Sequence, residues 1–322
     1  MSYIYSCKKL LALVSLLGFI AACSDSDEQA VTEMAMDSLV SAEWLNEHLN
    51  DPDLVVLDCT VLVQMGGEGG YSISSGRASY EDGHIPTAGF ADLMGDLSDS
   101  ESPYQFAVPS PEVFANAMNA LGVNDNSRVV LYDSSGSAWA ARVWWMLRWI
   151  GFDRAALLDG GLAAWTSAGY PMSTEAAIRP AGTLTVALRP ELIVDKDEVH
   201  AAIGDDSVNI IDALSEPVYR GDVTMYARPG HIAGASNVPM SSLLDDAGHF
   251  RPRNELDELL VGDRDTRSIT YCGGGIAASA NAFVMTRQGF TDVAVYTASL
   301  QEWASDESLP MEVALDPDAE QE

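Results

Sequence analysis

Short apolar runs of four or five residues alternate along this chain with longer stretches whose apolar positions recur at helical spacing. Leu54-Val55-Val56-Leu57-Asp58, Arg128-Val129-Val130-Leu131-Tyr132-Asp133, Ala155–Leu158, Val208-Asn209-Ile210-Ile211-Asp212, Ser268-Ile269-Thr270-Tyr271 and Val293–Val295 read as strands. Ala138–Ile150, Leu162–Ala168 and Ile276–Gln288 read as helices. Continuous apolar runs suit strands buried on both faces. The expected fold class is therefore α/β, with parallel sheets flanked by helices on both faces.

The pattern occurs twice. Asp58, Gly83-His84-Ile85-Pro86, a strand ending at Asp133 and Gly161-Leu162-Ala163-Ala164-Trp165 mark the first half. Asp212, Gly230-His231-Ile232-Ala233-Gly234, a strand ending at Cys272 and Ser299-Leu300-Gln301-Glu302-Trp303 repeat them in the same order. Matched positions are offset by 154, 147, 139 and 138 residues, a drift that loop deletions account for. Two domains of one kind are expected, over 38–172 and 189–312. The linker between them, 173–188, contains Pro180 and Gly182 and has no clear helical face.

The N-terminus has a different character. Lys8 and Lys9 precede an apolar stretch from Leu10 to Ile20 that is too short to span a bilayer, and Ala21-Ala22 lead to Cys23. Residues 1–22 read as a secretory signal. Ile20-Ala21-Ala22-Cys23 resembles a bacterial lipobox, which implies a lipid on Cys23 and attachment on the periplasmic side of a membrane; Ser24 rather than Asp favours the outer one. Residues 23–37 would be an acidic tether and 313–322 an acidic tail.

The formal net charge is −31, from 17 basic and 48 acidic residues. Loss of residues 1–22 removes two lysines and no acid and takes it to −33. Such a surface repels nucleic acid and anionic headgroups, so membrane contact is expected through the lipid alone. The sequence specifies no oligomeric state. Five scattered histidines and four cysteines make no closely spaced ligand set, so neither metal nor cofactor is expected.

Once the leader is gone and Cys23 acylated, Cys59 and Cys272 remain as thiols. Cys59 reads as buried and inert. Cys272 follows a strand and precedes Gly273-Gly274-Gly275 and a helix starting near Ile276, where backbone N–H groups favour a thiolate. The loop Gly273-Gly274-Gly275-Ile276-Ala277 can supply N–H donors to a sulfur anion and thus bind substrate. A cysteine phosphatase would need an Arg six residues after the nucleophile, and position 278 is Ala. His84 and His231 read as turn-fixing groups, Trp165 and Trp303 as core anchors, and Asp58 and Asp212 as organisers of strand ends.

These landmarks, with Val143-Trp144-Trp145-Met146-Leu147-Arg148 and Leu158-Asp159-Gly160-Gly161, resemble the tandem-domain rhodanese sulfurtransferases from about Ser38 to Met311. The resemblance implies two rhodanese domains, of which only the second is catalytic. It further implies a persulfide on Cys272, a small anionic sulfur donor (thiosulfate or 3-mercaptopyruvate) and a thiol or cyanide acceptor. Donor-binding arginines in the family lie before the Gly-His-Ile motif, which makes Arg220 and Arg228 the candidates, with Arg228 the better match. Gly274 departs both from the basic loop of thiosulfate-type members and from the Ser or Thr of mercaptopyruvate-type members. Phe106 stands where a linker His is often found, so no catalytic triad carries over. A non-enzymatic module that binds sulfane sulfur, or a degenerate interaction domain, is the alternative.

Overall fold

The computed structural model describes residues 36–65 and 71–314. The expected signal, Cys23 and most of the tether and tail lie outside the described residues. The first half runs β1 (Leu39–Val40), α1 (Ala42–His48), β2 (Leu54–Asp58), β3 (Val61–Met65), β4 (Tyr71–Ser75), α2 (Arg77–Asp82), β5 (Gly89–Phe90), α3 (Pro111–Ala120), β6 (Arg128–Tyr132), α4 (Ala138–Trp149), β7 (Ala155–Leu158) and α5 (Gly161–Ser167). The second runs β8 (Ile193–Val194), α6 (Lys196–Ala202), β9 (Val208–Asp212), α7 (Glu216–Arg220), β10 (His231–Ile232), β11 (Ser236–Asn237), α8 (Arg253–Leu259), β12 (Arg267–Tyr271), α9 (Ile276–Arg287), β13 (Val293–Tyr296), α10 (Ser299–Trp303) and β14 (Met311–Glu312).

Each half builds a five-stranded sheet in which every pairing is parallel, ordered β1-β7-β6-β2-β5 and β8-β13-β12-β9-β11. The strands that read as continuous apolar runs hold the middle: β2, β7 and β13 are buried along their whole length, and β6 and β12 at all but the first residue. Helix starts follow side-chain chemistry. Ser41 Oγ accepts the Trp44 N–H at 3.1 Å, and Ser110, with Pro111 next to it, accepts that of Val113 at 3.3 Å.

The repeat extends to individual contacts. His84 stacks on Tyr80 with ring centroids 4.0 Å apart, and His231 on Tyr219 at 3.8 Å. Tyr132 and Tyr271, ending β6 and β12, accept the N–H groups of Ile85 and Ile232 at 3.2 and 3.0 Å. The indoles of Trp165 and Trp303 donate to the carbonyls of Pro171 and Pro310 at 2.9 and 3.0 Å. One addition breaks the symmetry, the antiparallel hairpin β3–β4 of the first half, whereas the antiparallel pair β10–β14 of the second half is matched in the first by a single bridge between His84 and Ser173.

Each half has a private core behind its sheet, and a third core is shared. In the shared one α4 packs on α9, with Trp144 edge-on to Phe283 at 4.9 Å. Truncating either ring would cost about 3–5 kcal/mol. The segment 173–188, expected as a linker, is bonded along the first half: Ser173 exchanges backbone hydrogen bonds with His84, Gly182 N–H reaches Asn119 O at 2.8 Å, and Ala187 N–H reaches Ile150 O at 2.9 Å. Met36, expected in the tether, is partly buried against the first half's core, and the exposed Asp37 pairs with Arg287.

Candidate active site

Cys272 lies just beyond β12, at the carboxyl edge of the second sheet, where open α/β sheets place their ligand sites. Its side chain is 3 % exposed, and its N–H is held by Ser299 Oγ at 3.1 Å. The carbonyls of Cys272 and Gly273 accept from Leu300 and Gln301 at the start of α10, at 3.1 and 3.0 Å. The N–H groups of Gly273, Gly274, Gly275, Ile276 and Ala277 donate to no protein acceptor among the described residues. They form a cradle of donors at the head of α9, a twelve-residue helix.

Three side chains explain the three glycines. A Cβ on Gly273 would stand 1.6 Å from Tyr226 Oη, and one on Gly274 would stand 2.2 Å from Gln301 Nε2. Gly275 has φ +79°, and a Cβ there would meet Arg142 Nη1 and the Thr297 carbonyl, each at 2.8 Å. Gln301 also ties the halves together, accepting the Gln105 N–H at 2.8 Å and donating to its carbonyl at 3.3 Å. The departure from the family's loop thus has a physical basis: Tyr226 and Gln301 occupy the space a loop side chain would use.

Above the loop opens a cleft of about 380 Å³ between the halves, lined by Cys272, Gly273, Gly274, Ile276 and Ala277. Its walls are mostly apolar, with Val63 and Ile73 of the hairpin, Phe106 and Trp139 of the first half, and Leu214 and Met225 of the second. Among the described residues no Lys, Arg or His lines it. A hollow of about 450 Å³ near Arg179 contains no thiol, and among the described residues no cluster could hold a metal.

The arginines fall elsewhere than expected, and neither lines the cleft. Arg228 donates to four backbone carbonyls, those of Ala304, Leu309, Trp303 and Asp306, at 2.7–3.0 Å. A guanidinium with four of its five N–H donors taken in this way stitches the end of α10 to the following turn, away from the cleft where a donor-binding arginine was expected. Arg220 pairs with Asp222 at 3.2 Å. Cys59 is fully buried, and burial, with Asp58 and Asp133 nearby, pushes its thiol up, in keeping with an inert role. Both cysteines are free.

Sequence reasoning missed Arg142, on α4. It is completely buried, and Nη2 donates to the Phe106 carbonyl at 2.8 Å. Burial pulls its guanidinium down to about 10, opposed by attraction to the Cys272 sulfur. The available signal was a charge inside Ala138-Trp139-Ala140-Ala141-Arg142-Val143-Trp144-Trp145, a run too apolar all round to have a solvent face. Tyr226 and Gln301 carried no such signal.

A family model described as "Rhodanese-like domain" matches residues 41–168 and 195–306. The probable 3-mercaptopyruvate sulfurtransferase of Pseudomonas aeruginosa is 35 % identical over 291 residues, covering 86 % of this chain and 99 % of that protein. The thiosulfate sulfurtransferase of Gallus gallus is 29 % identical over 276 residues, covering 83 % and 93 %. Among solved structures, SseA from Escherichia coli, a 3-mercaptopyruvate sulfotransferase of rhodanese fold, superposes with a TM-score of 0.72 at 32 % identity, covering 82 % of this chain and 99 % of that one.

Proposed function

Because this chain belongs to the rhodanese family, we propose that it is a sulfurtransferase that carries sulfur as a persulfide on Cys272 and draws it from a small anionic donor of the 3-mercaptopyruvate kind. The observation that carries the reading is a thiol lining the cleft at the head of α9, followed by five backbone N–H groups that have no protein acceptor among the described residues. The Cys272 thiolate attacks the donor sulfur. The carbon–sulfur bond breaks with its electron pair passing to carbon, and the resulting enolate takes a proton to become pyruvate. The new S–S bond leaves a persulfide whose negative charge is favoured by the amide cradle. An acceptor thiolate or cyanide then attacks the outer sulfur and releases the Cys272 thiolate.

Donor preference follows from the walls. Thiosulfate enters as a dianion and 3-mercaptopyruvate as a monoanion, and the cleft offers neither a cationic side chain. Desolvating the dianion costs more. With cyanide as acceptor, kcat/KM is expected to be at least about tenfold higher for 3-mercaptopyruvate. A clear preference for thiosulfate would overturn the donor assignment. Persulfide formation without turnover on either donor would favour a sulfur-binding module instead.

Localisation rests on the leader alone. The lipobox-like Ile20-Ala21-Ala22-Cys23 supports a lipid on Cys23 that holds the acidic domains on the periplasmic face of a bacterial membrane, the outer membrane being favoured by Ser24. Native protein recovered soluble and without lipid would refute the anchor while leaving the sulfur chemistry intact.

A further inference from the structure

Arg142 is an expensive residue to keep where it is. Its side chain is fully buried, its Nε and Nη1 have no hydrogen-bond partner, and no carboxylate pairs with it among the described residues. A buried cation left unpaired is strongly unfavourable, and an apolar side chain of similar volume is commonly tolerated as well or better. Yet Nη1 presses on the nucleophile's loop, at the point where a Cβ on Gly275 would stand. Position 142 is the fifth residue of α4, and the fifth residue of α9 is Ala280. The charge is therefore carried only by the half that lacks Cys272, and it faces the half that holds it.

We propose that Arg142 is the counter-charge of the sulfur anion on Cys272, extended from the first half beneath the loop to favour the thiolate and then the persulfide. This rests on the reading of Cys272 as the sulfur carrier. Arg142 acts through the loop, as a positioning and electrostatic residue behind the cleft. The other ionisable groups on the elements around the thiol cannot supply this charge. Tyr226 offers a phenol against Gly273, Tyr271 and Asp212 lie at the ends of β12 and β9, and Glu302 of α10 accepts from the Tyr296 phenol. Ionised, each of these would oppose an anionic sulfur. With Nε and Nη1 unpaired, the guanidinium charge is left to act on that anion through the loop.

The test is the pH dependence of Cys272 alkylation by iodoacetamide, with thermal melting measured alongside, in Arg142→Met, Arg142→Gln and Arg142→Lys. Gln keeps an N–H for the Phe106 carbonyl in case Met perturbs folding. In the Met and Gln variants the profile is expected to move up by about one pH unit or more, so that alkylation at neutral pH slows about tenfold. Lys is expected to bring it back toward wild type, and melting of the Met variant to be unchanged or raised. An unchanged profile in folded Met or Gln variants, with melting lowered, would reduce Arg142 to a packing role. Failure of Cys272 to react in the wild type would instead remove the reading beneath.

Discussion

After β6 the chain turns through Asp133-Ser134-Ser135-Gly136-Ser137 into α4, and after β12 it turns through Cys272-Gly273-Gly274-Gly275 into α9. The two turns have equivalent places in equivalent sheets. In the first, the Asp133 carboxylate accepts the N–H groups of Ser135, Ser137 and Ala140 at 2.7, 3.0 and 2.9 Å. The loop is an anion cradle that the chain has filled with its own carboxylate. In the second, the cradle is left to a sulfur. The fold supplies the same oriented amides twice, and the identity of one residue decides whether they close a structural turn or attend a reactive atom.

The largest effect separating the halves is expected from Cys272→Ser. The hydroxyl is a far weaker nucleophile, so steady-state transfer should fall at least about a thousandfold while circular dichroism stays unchanged. Retained turnover would break the comparison.

Asp133→Ala should act on stability instead. It leaves the buried N–H groups of Ser137 and Ala140 without an acceptor, at a cost of about 2–4 kcal/mol in chemical denaturation, while kcat/KM of the folded protein changes less than about threefold. A large loss of turnover without loss of stability would show that the first turn takes part in the chemistry.

A smaller effect comes from the strand-end carboxylates. Burial raises Asp58, and it pushes Asp212 up from 3.8 to about 6 against the pull of the Leu214 N–H and the Tyr271 phenol. The folded protein holds the Asp212 proton more tightly than the unfolded chain. This contribution to stability is therefore complete below about pH 4 and is lost as pH rises through about 6, an effect of about 3 kcal/mol. Asp212→Asn should flatten that part of the pH–stability curve and be the more stable protein at pH 7. A variant that tracks the wild-type curve would show that Asp212 is not its source.

The parallel sheets and the duplication were legible because strands buried on both faces have few sequence alternatives. Leu54–Asp58 is apolar at every position but the last, Arg267–Tyr271 finishes on Ile269-Thr270-Tyr271, and both end at landmarks that recur in order. Cys272 was legible because a thiol before three glycines is chemically conspicuous. The place of Arg228 before Gly-His-Ile says nothing about where a long side chain ends, and the carbonyls at and beyond the end of α10 take four of its five donors. Arg142 was hidden because its role depends on how α4 packs against a loop more than 130 residues away, which no local pattern encodes. The hairpin β3–β4 escaped because its strands flank the glycine-rich residues 66–70 and lie outside the α/β alternation.

The most direct measurement is mass spectrometry of the protein after incubation with 3-mercaptopyruvate, digested without reductant and with persulfides capped. One additional sulfur is expected on the peptide containing Cys272, none on that containing Cys59, and its loss is expected on addition of cyanide. Sulfur found on Cys59, or on neither cysteine while transfer proceeds, would contradict the account.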